Sequence, residues 1–317
     1  MARLDFFDLP TAAVAEVERI AGDRVITATT PTGGFTLGPA SVCTLSEGGT
    51  VFVKASHPSV SDAVTDMHRR EAEVLAALPP THPAPNLIGH FEVEGWFGLV
   101  TEAVDGIAPG GPLGDAPEIV DRVFELVATL AEAGATCPLD DASPIGSTQR
   151  ERASRWAWKQ LRDDGLAGAL DTWSATHLDQ LVALEADWID AGTGDTLVHR
   201  DLRTDNMVLA TDGATGDIAV DWATASRGAV WVDLVGLLPS LRMQGGADPE
   251  TAFRAHPVGA AAEPDAVTCW LASIAGYFTR SALLPAPPGL ARLRRFQHDQ
   301  GVVARTWLNN RLGWSQG

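Results

Sequence analysis

Between Leu197 and Leu234 the chain reads LVHRDLRTDNMVLATDGATGDIAVDWATASRGAVWVDL. Two apolar runs, Met207–Leu209 and Ile218–Val220, flank a turn, Thr211–Gly216, rich in Asp, Gly and Thr. That pattern predicts two short strands joined as a hairpin. His199, Asp201 and Asn206 stand just before the first strand, and Asp221 follows directly on the second. Hairpin pairing would bring Asn206 and Asp221 together, with Asp201 on the adjoining loop. Three oxygen-bearing side chains at strand ends suit a divalent cation on a triphosphate, plus a base for an attacking hydroxyl.

A second constraint comes from lysine. Of 23 basic residues only Lys54 and Lys159 are lysine, leaving 21 arginines. Lys54 lies inside the apolar strand Val51-Phe-Val-Lys-Ala. Burying a lysine is costly unless anions meet it, and period-two alternation should turn it toward a ligand cleft.

The rest of the chain supplies a frame. At 317 residues it is long enough for two lobes. Residues 10–22 predict an amphipathic helix. Val25–Ala28, Ala40–Leu45 and Val51–Ala55 predict a meander whose turns carry Gly33, Gly34, Gly38 and Glu47-Gly-Gly49. Asp66–Leu78 predicts a helix, and Asn86–Phe91 and Trp96–Thr101 two more strands. The expected boundary lies near residue 103, giving an amino-terminal sheet lobe, 1–103, and a mainly helical lobe, 104–317. Predicted helices in the second lobe span 117–133, 150–164, 174–189, 232–243, 264–283 and 288–312, with most tryptophans as packing residues.

Composition excludes several functions. No apolar segment is long enough to span a membrane. A formal charge of −18 disfavours binding a phosphate backbone, so no nucleic-acid partner is expected. The three isolated cysteines, Cys43, Cys137 and Cys269, fit a reducing cytoplasm. Oligomeric state is not legible.

His199-Arg200-Asp201-Leu202, then Asn206, then Asp221-Trp222 and Asp233, resembles the catalytic and metal-binding segment of protein-kinase-like enzymes. More narrowly, it is similar to the aminoglycoside phosphotransferase family of small-molecule kinases. The resemblance implies an α+β, two-lobed protein-kinase-like fold. It implies a catalytic base at Asp201 and Mg²⁺ held by Asn206 and Asp221, with His199 and Asp233 bracing the loop. Nucleotide, ATP or GTP, would meet Lys54, its partner Glu71, the turn at Gly33 and Gly34, and the linker backbone from Glu102 to Val104. Glu71 and Glu73 cannot share a helix face, and the family's Arg-Glu pattern selects Glu71. Arg200 and Arg203 are left open between contacting phosphate and lying on the surface.

Asp221 and Asp233 are only twelve positions apart (233 − 221), too short for a peptide-docking activation segment. A hydroxylated small molecule is therefore the expected acceptor, with an antibiotic such as an aminoglycoside first. A nucleoside or peptide antibiotic, a sugar, choline or homoserine are alternatives, and a non-catalytic nucleotide-binding module is the reading from another class. Asp248, Glu250, Glu263 and Asp265 are candidate contacts for a cationic acceptor. The absence of an acid after Asp221-Trp222, where relatives often carry one, leaves the acceptor's charge open.

Overall fold

A computed structural model describes residues 4–31, 38–110, 112–113, 116–136, 139, 142–211, 216–287 and 290–314. The chain forms two compact units. One comprises the residues up to Pro109 together with Asp205–Ala225, and the other Gly110–Thr204 together with Ser226–Gly317. The expected boundary near residue 103 thus falls within the first unit, whose second segment returns from far along the sequence.

In chain order the first unit contains α1 (Thr11–Ala21), β1 (Val25–Thr29), β2 (Ala40–Leu45), β3 (Thr50–Ser56), α2 (Pro58–Ala77), β4 (Leu87–Val93), β5 (Trp96–Glu102) and β6 (Gly106–Ile107). A sheet of five antiparallel strands runs β1-β2-β3-β5-β4. Its faces are sorted by alternation. Val51, Val53 and Ala55 join Phe6, Ala13, Val17 and Phe91 in an apolar core with α1, whereas Phe52 and Lys54 line a cavity on the other face. α2 begins at Pro58, eight residues before the expected start, and kinks at Ser61, whose φ is −167° and ψ 110°. His57 caps it by accepting the N–H of Ser59.

The second unit carries α3 (Pro117–Gly134), α4 (Gln149–Arg155), α5 (Ala157–Asp163), α6 (Thr172–Thr176), α7 (Leu178–Glu185), α8 (Trp188–Gly192) and β7 (Thr196–Val198). The chain then passes through β8 (Met207–Ala210) and β9 (Ile218–Ala219) of the first unit. It continues with β10 (Ser226–Gly228), α9 (Val232–Met243), α10 (Pro249–Ala255), α11 (Pro257–Ala260), α12 (Pro264–Leu283) and α13 (Leu293–Leu312). α12 is the hub, packing on α13, α8, α7 and α5, with its own Trp270 and the surrounding Trp158, Trp188 and Trp307 all buried. α9 is buried from Val232 to Leu241 except at half-buried Gly236, with apolar side chains on every face and Asp233 and Ser240 as its buried polar residues.

Two expected helices are broken. The 150–164 segment divides at Trp156, whose φ of −85° and ψ of 52° are not helical. The 174–189 segment becomes α6, α7 and α8, interrupted at His177 and Asp187. Both breaks serve packing. Trp158 can then donate its indole N–H to Ala272 O, and Glu185 accepts the N–H groups of Trp158 and Lys159 at the uncapped start of α5. The last helix starts at Leu293 rather than 288. Among the described residues no helix is long and apolar enough to cross a membrane.

Candidate active site

The first unit gathers its polar residues around one cavity of about 360 Å³. Lys54 and Glu71 form its charged wall, Glu102, Ala103 and Val104 another side, and Asn206, Ile218 and Asp221 a third. Each is delivered by a separate device. β3 pairs with β2 through Ala40↔Lys54 and with β5 through Lys54↔Leu99, so Lys54 occupies a central strand. α2 buries Glu71, while Glu73 is exposed and ion-paired to Arg70. Lys54 Nζ donates to Glu71 Oε1 and Oε2 at 2.7 and 2.8 Å and also to Asp221. Burial alone would lower the lysine pKa, but the Asp221 and Glu71 carboxylates outweigh it and raise it. The ammonium therefore stays charged at any physiological pH.

The hairpin holds the oxygen donors. Met207 pairs with Ala219 and Val208 with Ile218, and Val220 N–H donates to Asn206 O at 2.9 Å. Asn206 and Asp221 therefore flank the same end of the ladder. Asp221 takes a left-handed backbone, φ 68°, a conformation that Asp tolerates better than most residues. Trp222 ties the segment around Asp221 back to β9, its indole N–H donating to Ala219 O. β6, which sequence patterning missed inside a Gly/Pro-rich stretch, pairs with β8. A side chain at Gly106 would meet Leu209 O at 2.5 Å, so this pairing needs glycine.

Asn206 and Asp221 are hard oxygen donors on one cavity wall, and two protein oxygens suit Mg²⁺, which retains waters and substrate oxygens. Among the described residues no group of three or more His, Cys, Asp or Glu could hold a metal ion alone. Gly33 and Gly34 lie outside the described residues.

The second unit contains the loop with Asp201. β7 leads into it, paired with β10 through Val198↔Ser226. Buried Asp233 on α9 accepts the backbone N–H groups of His199 and Arg200, both at 2.7 Å. Burial raises its pKa, opposed by His199 and these N–H groups. His199 is buried and its Nδ1 accepts the N–H of Asp201 at 3.3 Å. Asp201 is itself half-buried and ion-paired to Arg203. Arg200 has φ 68°, and its guanidinium meets Glu151 of α4 at 2.6 Å. Glu151 and its helix neighbour Arg155 were not singled out by motif. Their signal is the i,i+4 spacing in the charged segment RERASRW.

The acids expected near a cationic acceptor are largely engaged elsewhere. Asp248 caps α10 and Glu263 caps α12. Glu250 binds Trp307 Nε1 at 2.7 Å and Arg311 at 2.6 Å.

Residues 40–266 match the model of the phosphotransferase enzyme family, APH. Among solved structures the chain is similar to the GDP and kanamycin complex of APH(2")-IIia, with 13% identity, 96% of this chain and 98% of that chain covered, and a TM-score of 0.60. It is similar to an aminoglycoside phosphotransferase from Alicyclobacillus acidocaldarius, at 17% identity, 99% and 97% coverage and TM-score 0.56. A Plasmodium vivax ethanolamine kinase matches at 12% identity, 95% and 84% coverage and TM-score 0.54. No curated protein matches the chain.

The architecture is thus α+β and protein-kinase-like, of the class that phosphorylates small molecules. The chain belongs to the phosphotransferase enzyme family, the family of the aminoglycoside phosphotransferases.

Proposed function

We propose that this small-molecule kinase transfers the γ-phosphoryl group of ATP or GTP to a hydroxyl of its acceptor. The observation that carries the reading is Lys54, a buried cation fixed between Glu71 and Asp221 on the wall of a 360 Å³ cavity. A lysine retained in such a place serves an anionic ligand better than it serves stability.

In this reading Lys54, oriented by Glu71, binds the α/β-phosphates, and the Glu102–Val104 backbone meets the base. Gly33 and Gly34, outside the described residues, are assigned to nucleotide binding by the family resemblance alone. Asn206 and Asp221 would hold Mg²⁺, which supplies charge neutralisation to the phosphates when bound. Asp201 orients the acceptor hydroxyl and takes its proton as the new O–P bond forms and the β,γ-bridging O–P bond breaks. Asp233 and His199 fix the backbone that carries Asp201. Residues 1–103 then act as the nucleotide lobe and 104–317 as the catalytic and acceptor lobe, in a cytoplasmic enzyme.

An antibiotic such as an aminoglycoside is one acceptor for this chemistry, and another hydroxylated metabolite is the second. The engagement of Asp248, Glu250 and Glu263 in caps and ion pairs favours the second. The test is a panel of hydroxylated antibiotics and metabolites with labelled nucleotide and Mg²⁺, reading product mass for one added phosphate. Asp201→Asn should lower kcat by about 10²–10⁴-fold at unchanged nucleotide affinity. Equal turnover by both proteins would remove Asp201 from the mechanism.

A further inference from the structure

The second unit contains a guanidinium that makes no ion pair among the described residues. Arg155 closes α4, and its guanidinium lies over the Trp270 ring at 5.0 Å and the Tyr277 ring at 5.6 Å. Its Nη1 is sealed from solvent with no hydrogen-bond partner among the described residues, as is Nε of Arg200. The nearby acids are Glu151, committed to Arg200, and Asp201, committed to Arg203. Burial, then the like charge of Arg200, lowers the Arg155 pKa, while Tyr277, Glu151 and Asp201 act in the opposite sense. The carbonyls at the end of α4 and the two ring faces offset part of the cost, but neither supplies an acceptor for Nη1.

Arg200 sharpens the point. It holds a left-handed backbone, φ 68°, where glycine would sit without strain. In a chain of net charge −18, the guanidiniums of Arg155, Arg200 and Arg203 meet two carboxylates, Glu151 and Asp201, which leaves an excess of positive charge beside the loop of Asp201.

We propose that Arg155 and Arg200 dock an anionic group, a carboxylate or a phosphate, carried by the hydroxylated acceptor. This rests on the phosphotransferase reading and narrows it: the acceptor is an anion, such as a hydroxy acid or a phosphorylated alcohol, and not a polycation. Guanidinium suits either oxyanion through paired N–H donors.

The test measures Tm at constant ionic strength with D-glycerate, inorganic phosphate or neutral glycerol, in wild type, Arg155→Met and Lys54→Met. Glycerate and phosphate should each raise Tm saturably, by about 2 °C or more at saturation, in wild type and in Lys54→Met. Glycerol should not, and Arg155→Met should abolish the anion shifts while keeping the shift caused by Mg²⁺-nucleotide. Should Arg155→Met fail to fold, Arg200→Gly carries the same arm, because glycine accepts that backbone. No anion shift in wild type, or an equal one in Arg155→Met, overturns the proposal. So does loss of the anion shift in Lys54→Met, which would place the anion in the nucleotide's phosphate site. If Mg²⁺-nucleotide itself gives no shift in wild type, the kinase reading fails first and the proposal loses its premise with it.

Discussion

Lys54 on β3 and Glu71 on α2 are joined through both carboxylate oxygens, 2.7 and 2.8 Å from the ammonium nitrogen, and both residues are buried. Removing one partner of such a pair leaves an uncompensated charge, and the loss exceeds the net worth of the pair. Glu71→Gln should lower kcat/KM for nucleotide about 10- to 100-fold, whereas exposed Glu73→Gln should change it less than twofold. Steady-state kinetics on both variants would check this. Equal effects would mean that the helix, and not the Lys54 contact, matters.

Asp233 serves two backbone donors at once, the N–H groups of His199 and Arg200. Asp233→Ala strands both in a buried place, which should cost about 2–5 kcal/mol in chemical denaturation. The same variant should lose phosphotransfer while keeping nucleotide affinity. A variant as stable as wild type would show that water replaces the carboxylate there.

The stability of the second unit should depend on pH through Glu185. Burial pushes its carboxyl up to about 7, although the N–H groups of Lys159 and Trp158 oppose the shift. Because the folded value lies above the unfolded one, the folded state holds the proton more tightly. This contribution is therefore complete below about pH 4.5 and is lost as pH rises through about 7, an effect of order 3 kcal/mol. Glu185→Gln stays neutral, so the stability difference between wild type and variant should shrink, then reverse in favour of the variant, from pH 5 to pH 8. Urea denaturation at three pH values reads it. A constant difference would show that the N–H groups at the start of α5 compensate the burial fully.

Much of this fold was legible where one residue type has one physical use. Pro264 opens a helix where expected, Gly22 ends one in a left-handed conformation, and strand alternation sorts Val53 from Lys54, whereas the start of α2 at Pro58 was not read. The hairpin that holds Asn206 and Asp221 could be read from its two apolar runs. The breaks at Trp156 and His177 could not, because both residues are neutral in helix propensity and the breaks are set by Trp158 and Glu185 packing far along the chain. For the same reason the ion pair of Arg200 with Glu151 is a product of tertiary structure. β6 was hidden because Gly106 is required by close backbone approach, which resembles a loop signal in sequence.

The central claim is that the Lys54 cavity holds a nucleotide. Isothermal titration of wild type and Lys54→Met with ATP and with GTP, in the presence of Mg²⁺, tests it most directly. The account predicts binding of at least one nucleotide by wild type and an affinity at least about tenfold weaker in the variant, since charge-assisted contacts to phosphate are worth more than about 1.4 kcal/mol. Equal affinity in the two proteins, with both correctly folded, would contradict it.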